Sequence, residues 1–332
     1  MPLNSAILTV ALLCSAQAQQ AATHAGHAQH EPEATTHVCP MHPEVTSPAA
    51  GSCPKCGMAL VRADRIGAGQ YRIELGTEPR AVPAGRPVRL RLKVRNQQTG
   101  ELVRDFAIAH DRRYHLFIIS QDLEHYDHVH PEQDADGSWV IDTTLPKPGY
   151  YKIYSDFLPA GGTPQVQSLP LVTAGYTGDL ASSSARLVPD RALTQTVGGI
   201  SVTLELAAGG PVAGRPETLT YRMRDARTGA PVTDMEPYLG AWGHTVVMSE
   251  DALQFVHAHP VEEVPAATSD VRGGPTLTFK AALPTHGRYR VWTQIKRGGE
   301  LATAVFTIEV MAAKQRASGT AMPTSGGRGR TP

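Results

Sequence analysis

The chain has 332 residues, 41% of them apolar and 19% charged, with 31 basic side chains balancing 31 acidic ones. That length suggests two or three domains, and a net charge of zero recruits neither nucleic acid nor an anionic membrane surface. Its 31 glycines and 26 prolines suit short strands and turns, while its 14 histidines stand out because they cluster.

The N-terminus reads as an export signal. "AILTVALLCSA" (6–16) is an apolar run too short to span a bilayer, and "AQA" (16–18) offers small residues for cleavage after Ala18. The first five residues carry no Lys or Arg, the one element of such a signal that is missing. Cys14 raises a lipid anchor, but Leu13 is too large for the position before a lipidated cysteine, which favours soluble periplasmic or secreted export. Residues 19–36 lack apolar periodicity and read as a flexible leader bearing His24, His27 and His30. Past the signal only Cys39, Cys53 and Cys56 remain, and three thiols in an oxidising compartment cannot all pair as disulfides.

Those three cysteines fall in the segment 37–62, which contains "HVCPMHPEVTSPAAGSCPKCGMAL". Cys39 and His42 have C-x2-H spacing, and Cys53 and Cys56 have C-x2-C spacing. Each is a tight turn that aims two ligands at one centre, with Pro stiffening the entry and Gly57 able to take positive φ on exit. Together they make a Cys3His set suited to zinc, or to soft Cu(I) or Ag(I) with Met41 and Met58 as neighbouring thioether ligands. Metal bonding would also stabilise a segment that buries little apolar surface. The plainer alternative is one disulfide and a spare thiol.

These residues resemble the heavy-metal-binding domain found at the N-termini of some copper-transporting P-type ATPases and on periplasmic adaptors of copper and silver efflux systems. The resemblance covers Cys39 to Leu60, and His37 departs from it by standing where an aromatic, usually Tyr, is expected. It implies copper, silver or zinc handling in the cell envelope; the extra imidazole of His37 is either a further ligand or neutral to binding. It does not imply transport or an efflux adaptor, since neither membrane spans nor a long helical hairpin can be read here.

From Tyr71 onward the text alternates as strands do: "YRIEL", "VRLRLKV", "HLFIIS", "SWVIDTTL", "YYKIYSDF". It also repeats. A shift of 129 lays "AGRP" (84–87) on "AGRP" (213–216), His115 on His244, Ser120 on Ser249, and "HVHP" (128–131) on "HAHP" (257–260). At a shift of 138, "LPKPGYYKIYSDF" (145–157) matches "LPTHGRYRVWTQI" (283–295). The expected fold is mostly β: the Cys/His segment, then two tandem immunoglobulin-like β-sandwich domains near 69–175 and 190–310, each of about seven strands. Residues 311–332 have little to bury and read as a disordered tail. The paired domains also loosely resemble uncharacterised β-sandwich repeats that accompany such metal-binding segments in bacterial exported proteins.

Within each copy a histidine triad is predicted. His128 and His130 are two apart, so on a strand both face one side, as do His257 and His259. His115 and His244 lie thirteen residues earlier, and a turn around Ser120–Leu123, or Ser249–Leu253, would fold each back onto its pair. Three imidazoles on a rigid sheet suit Cu(II) or Zn(II). The alternative is structural: hydrogen bonding across strands, or a dimer contact. His110 and His125 occur in the first copy alone, and as added ligands they would make its site the stronger.

"PAGG" (159–162) and "KRGGE" (296–300) read as hairpin turns rather than phosphate cradles. Tyr150, Tyr151 and Tyr154, with Tyr289 and Trp292, read as core and rim residues, and the Asp156/Gln294 mismatch argues against a shared catalytic carboxylate. No acid, base or nucleophile set is evident, so a non-enzyme is expected. The leading expectation is an exported copper- or silver-binding buffer or chaperone, docking an envelope efflux or cuproprotein partner. Its rivals are a zinc-stabilised envelope interaction module and a His-ligated copper enzyme.

Overall fold

The computed structural model describes residues 37–39, 42–49, 51, 53–54, 60–62, 70–109, 111–181, 183–265 and 271–313. Residues 1–36, where a signal and a leader are expected, and 314–332 of the expected tail lie outside them. Among the described residues no helix is long and apolar enough to cross a membrane.

Strands β1 (His37–Cys39), β2 (His42–Ser47) and β3 (Val61–Arg62) form a small sheet ordered β2-β1-β3. Cys39 and His42 are direct cross-strand partners, so the first Cys/His pair sits at the point where the chain reverses. Cys53 and Leu60 are buried, and the Leu60 amide donates to the Gly51 carbonyl at 2.7 Å.

The first sandwich comprises β4 (Tyr71–Glu78), β5 (Pro87–Asn96), β6 (Phe106–Ala107), β7 (Tyr114–Ser120), β8 (Tyr126–Val129), β9 (Glu132–Gln133), β10 (Trp139–Thr144), β11 (Tyr150–Pro159) and β12 (Gln165–Val172). One sheet is ordered β4-β5-β10-β9 and the other β12-β11-β7-β8, with β6 paired to the end of β11. These are the A-B-E-D and G-F-C-C′ orders of an immunoglobulin-like sandwich. Strand β5 shows why the sheets close on each other. Val88, Leu90, Leu92 and Val94 are almost wholly buried, while Arg89 turns outward to grip its cross-strand partner Asp142 through two 2.8 Å hydrogen bonds.

The second sandwich comprises β13 (Thr194–Val197), β14 (Ile200–Glu205), β15 (Pro216–Asp225), β16 (Met235–Glu236), β17 (Gly243–Ser249), β18 (Phe255–Ala258), β19 (Thr276–Ala282), β20 (Gly287–Arg297) and β21 (Glu300–Val310). Its sheets run β13-β14-β15-β19 and β21-β20-β17-β18, with β16 paired to the end of β20. At the start of β11 and β20 the same anchor recurs. The Tyr151 hydroxyl donates to the Lys147 carbonyl at 2.8 Å, and Tyr289 donates to Thr285 at 2.9 Å, the tyrosine corner of this fold. Each hydroxyl thereby satisfies a polar group that the aromatic ring carries into the core.

Strands β7 and β17 are buried at every position, on both faces. In an ordinary sandwich one face would meet water and alternate in polarity. Here the outward faces meet each other instead. Phe117, Ile119 and Tyr154 of the first copy form a third apolar cluster with Val246, Met248 and Trp292 of the second. Tyr126 stacks on Trp292 with ring centroids 4.9 Å apart, and Phe255 stacks on Tyr154 at 4.5 Å. The repeat maps position 126 onto 255 and 154 onto 292, so one contact is the image of the other, as in a two-fold dimer interface fused into one chain. This corrects the reading of Tyr154 and Trp292 as core or rim residues of single sandwiches: they join the two. Tyr151 and Tyr289 do lie in the cores of their own sandwiches. Trp292→Ala should therefore cost about 3–5 kcal/mol in urea unfolding at neutral pH, the usual range for deleting a buried large aromatic. A loss below about 1 kcal/mol would show that the sheets do not pack on each other in solution.

Candidate metal centre

Strand register builds the triads. Phe117 pairs with His128 across β7 and β8, so the neighbouring pair on the same face sets His115 against His130, just past the end of β8. On the other side of β7, Asp156 pairs with His115 and Tyr154 with Phe117. Side chains alternate along a strand, so all of these share the outer face that meets the second sandwich. In the copy, Val246 pairs with His257, and Gln294 pairs with His244. The hairpin that delivers this register turns through Leu123 at φ 58°, matched by Ala252 at φ 54°. In each copy a serine hydroxyl, Ser120 or Ser249, accepts from the backbone amide five residues on, at 2.9 Å. That bond helps hold a left-handed turn that a non-glycine residue adopts at some cost.

The first triad converges closely. His115 Nδ1 lies 3.1 Å from His128 Nε2, and His130 Nε2 lies 3.2 Å from both. His115 Nε2 is 2.9 Å from the Ala109 carbonyl, which can only accept, so the His115 proton sits there and Nδ1 presents a lone pair inward. In the orientation in which Gln294 offers its side-chain oxygen, 3.1 Å from His128 Nδ1, the His128 proton sits on Nδ1 and Nε2 is the inward lone pair. Two lone pairs thus face each other at contact distance, an arrangement that a bound cation would relieve. An ion fits. The centre of a triangle with these edges is about 1.8 Å from each corner, close to the metal–imidazole bond length of about 2.0–2.1 Å, so His115, His128 and His130 would together hold a borderline divalent ion.

The environment keeps His128 and His130 neutral, as ligands must be. Burial, followed by the fields of His257, His244, His130 and His115, holds His128 well below its ordinary value of 6.5. Burial, then His115, Arg112 and His244, lowers His130 to about 3. Phe117 stacks on the His128 ring at 4.3 Å and fixes its plane.

The second triad repeats the plan. The ligand atoms of His244, His257 and His259 lie within 4.8 Å of one another, and His244 Nε2 is 2.9 Å from the Tyr238 carbonyl, the counterpart of Ala109. The Asp156 carboxylate of the first sandwich is 3.1 Å from His257 Nδ1, where Gln294 of the second serves His128. The triads themselves are neighbours: the His128 ring lies 5.5 Å from His244 and 5.6 Å from His257. All six predicted histidines are therefore gathered at one junction.

Two residues at this junction escaped the sequence reading, Asp156 and Gln294. Their signal was present, since they align in the repeat and share the outer face of their strands, but nothing in the text says that the two faces meet. His125 overturns an expectation. Its Nε2 lies 3.2 Å from Asp127 and its ring packs edge-on to Tyr151, so it is not among the converging ligands. The one-residue offset from Tyr126 turns it to the opposite face. His110 lies outside the described residues.

Of the Cys/His segment, Cys39 and His42 are described at the backbone only, while Met41, Cys56 and Met58 lie outside the described residues. Cys53 is 2% exposed. His37 sits on the central strand of the small sheet, half-buried, and its Nδ1 meets no hydrogen-bond partner among the described residues.

Comparison with known proteins matches residues 37–63 to a heavy metal binding domain. A 33-residue stretch is 61% identical to a copper-transporting P-type ATPase of Rhizobium leguminosarum bv. viciae, covering 10% of this chain and 4% of that protein. Among solved structures, the Escherichia coli adhesin FdeC overlaps 77% of this chain and 69% of its own at 17% identity and a TM-score of 0.23. The bacterial integrin-binding protein invasin overlaps 73% and 40% at 12% identity and a TM-score of 0.21. Neither contributes a functional argument. A domain of unknown function (DUF8832) matches twice, at residues 63–172 and 195–312. Since these two stretches span more than half of its length, the chain belongs to the DUF8832 family, and it carries a heavy metal binding domain ahead of them.

Proposed function

We propose that this is an exported heavy-metal-binding protein that captures copper or silver as a buffer or chaperone in the cell envelope. Cys39, His42, Cys53 and Cys56 form its soft-ion site, assisted by Met41 and Met58, and the two histidine triads take borderline ions such as Cu(II) or Zn(II). The observation that carries this reading is the triangle of three imidazole nitrogens with edges of 3.1–3.2 Å, two of whose rings have their other nitrogen engaged elsewhere. The heavy metal binding domain supplies independent support. Thiolates and imidazoles in one chain give separate sites to the reduced and oxidised states of the same element, which suits a protein that meets copper in either state.

Anaerobic titration of the mature protein with Cu(I) against a chelating competitor tests the soft site. Tight binding should be lost in Cys53→Ser/Cys56→Ser, and affinity should weaken as pH falls, because thiolates bind only after losing a proton. Micromolar or weaker binding that ignores this double substitution would remove the soft-ion role.

A further inference from the structure

We propose that the two triads are unequal, and that His244, His257 and His259 take a divalent ion ahead of His115, His128 and His130. This rests on the reading that both triads ligate metal, and it reverses the order expected from the extra histidines of the first copy. The difference lies in the groups that cross the junction. His257 Nδ1 meets the Asp156 carboxylate at 3.1 Å, with His257 and Asp156 side chains 3% and 15% exposed. His128 Nδ1 meets the Gln294 amide at 3.1 Å instead.

Three consequences favour the second triad. A carboxylate only accepts hydrogen bonds, so Nδ1 of His257 must carry the proton and Nε2 must carry the lone pair. An amide can rotate and donate, which would move the His128 proton onto Nε2 and silence that ligand. A charged acceptor also makes the imidazole a more basic ligand than a neutral one does. Finally, a divalent ion among three neutral imidazoles brings two positive charges into a buried site, and Asp156 cancels one of them. Asp156 also neighbours His115 through strand pairing, and its carboxylate reaches across the junction to His257 of the other sandwich. Each sandwich thus completes the site of its partner, and the Asp/Gln difference grades the pair.

The experiment uses the full chain with Cys14, Cys39, Cys53 and Cys56 replaced by serine, titrated with Zn(II) against a chelating competitor. His130→Ala isolates the second triad and His259→Ala isolates the first. The second should bind roughly 10–100-fold more tightly, the usual effect of an outer-shell partner. Asp156→Asn should erase that advantage. Gln294→Glu should strengthen the isolated first triad by a similar factor, a gain that damaged folding cannot produce. Two equal equivalents that respond to neither substitution would overturn the ranking alone. Absence of zinc from both triads would remove the imidazole half of the metal reading, and the ranking with it.

Discussion

His130→Ala should reduce the divalent-metal capacity of the thiol-free chain from two equivalents to one, and adding His259→Ala should reduce it to none. Both residues sit at the edge of the junction, only partly buried, whereas His115, His128, His244 and His257 are deep within it. Truncating the rim ligand therefore leaves the His128–Gln294 and His257–Asp156 contacts in place. Affinity at the altered site should fall by more than the roughly 10–100-fold that loss of an outer-shell partner costs, because a bond to the ion itself is removed. Thermal unfolding offers a second reading. An ion at a thousand times its dissociation constant stabilises the fold by about 4 kcal/mol per site, so metal should raise the midpoint of the unaltered protein clearly and that of the double variant not at all. A double variant that still binds two equivalents would show that the triads are structural.

Much of this site was legible because a sheet obeys a period of two. HxH on one strand and a third histidine thirteen residues earlier imply a shared face as soon as a tight turn is placed between them. The turn at Ser120–Leu123 supplies that placement. The repeat made the inference sharper, since each triad is a separate instance of the same geometry. What could not be read is the meeting of the two outer faces. "HLFIIS" reads as a strand with one apolar face too many, and Phe117 and Ile119 could have met solvent, a partner molecule or the second copy with equal local plausibility. Only the fold shows that they pack against Val246, Met248 and Trp292. Asp156 and Gln294 were illegible for the same reason. Each acts on a histidine more than a hundred residues away, and as an aligned pair of unlike residues they argued for unimportance. His125 misled in the opposite direction, since residue type pointed to the site and strand parity pointed away from it.

Acid should destabilise the metal-free protein steeply, beginning at a pH where few other groups titrate. Folded His128 is held well below 6.5 and folded His130 at about 3, whereas in the unfolded chain both should titrate near 6.5. Above that pH neither is protonated in either state, so they add no pH dependence. Below it the unfolded chain takes up two protons that the folded chain refuses, and folding loses about 1.4 kcal/mol per pH unit for each histidine. For His130 the loss continues until about pH 3, reaching about 3 kcal/mol by pH 4. Carboxylates complicate the lower end of this range, so the interval from pH 6.5 to 5 is the diagnostic one. Urea midpoints measured there should fall with pH, and His130→Gln should lessen the slope by about 1.4 kcal/mol per unit while leaving stability at pH 7.5 little changed. Bound metal should shift the whole curve to lower pH, because an ion seated on the lone pairs must leave before the protons arrive. A stability profile that stays flat across that interval, identical in the His130→Gln variant, would mean the imidazoles reach water and the junction is not closed.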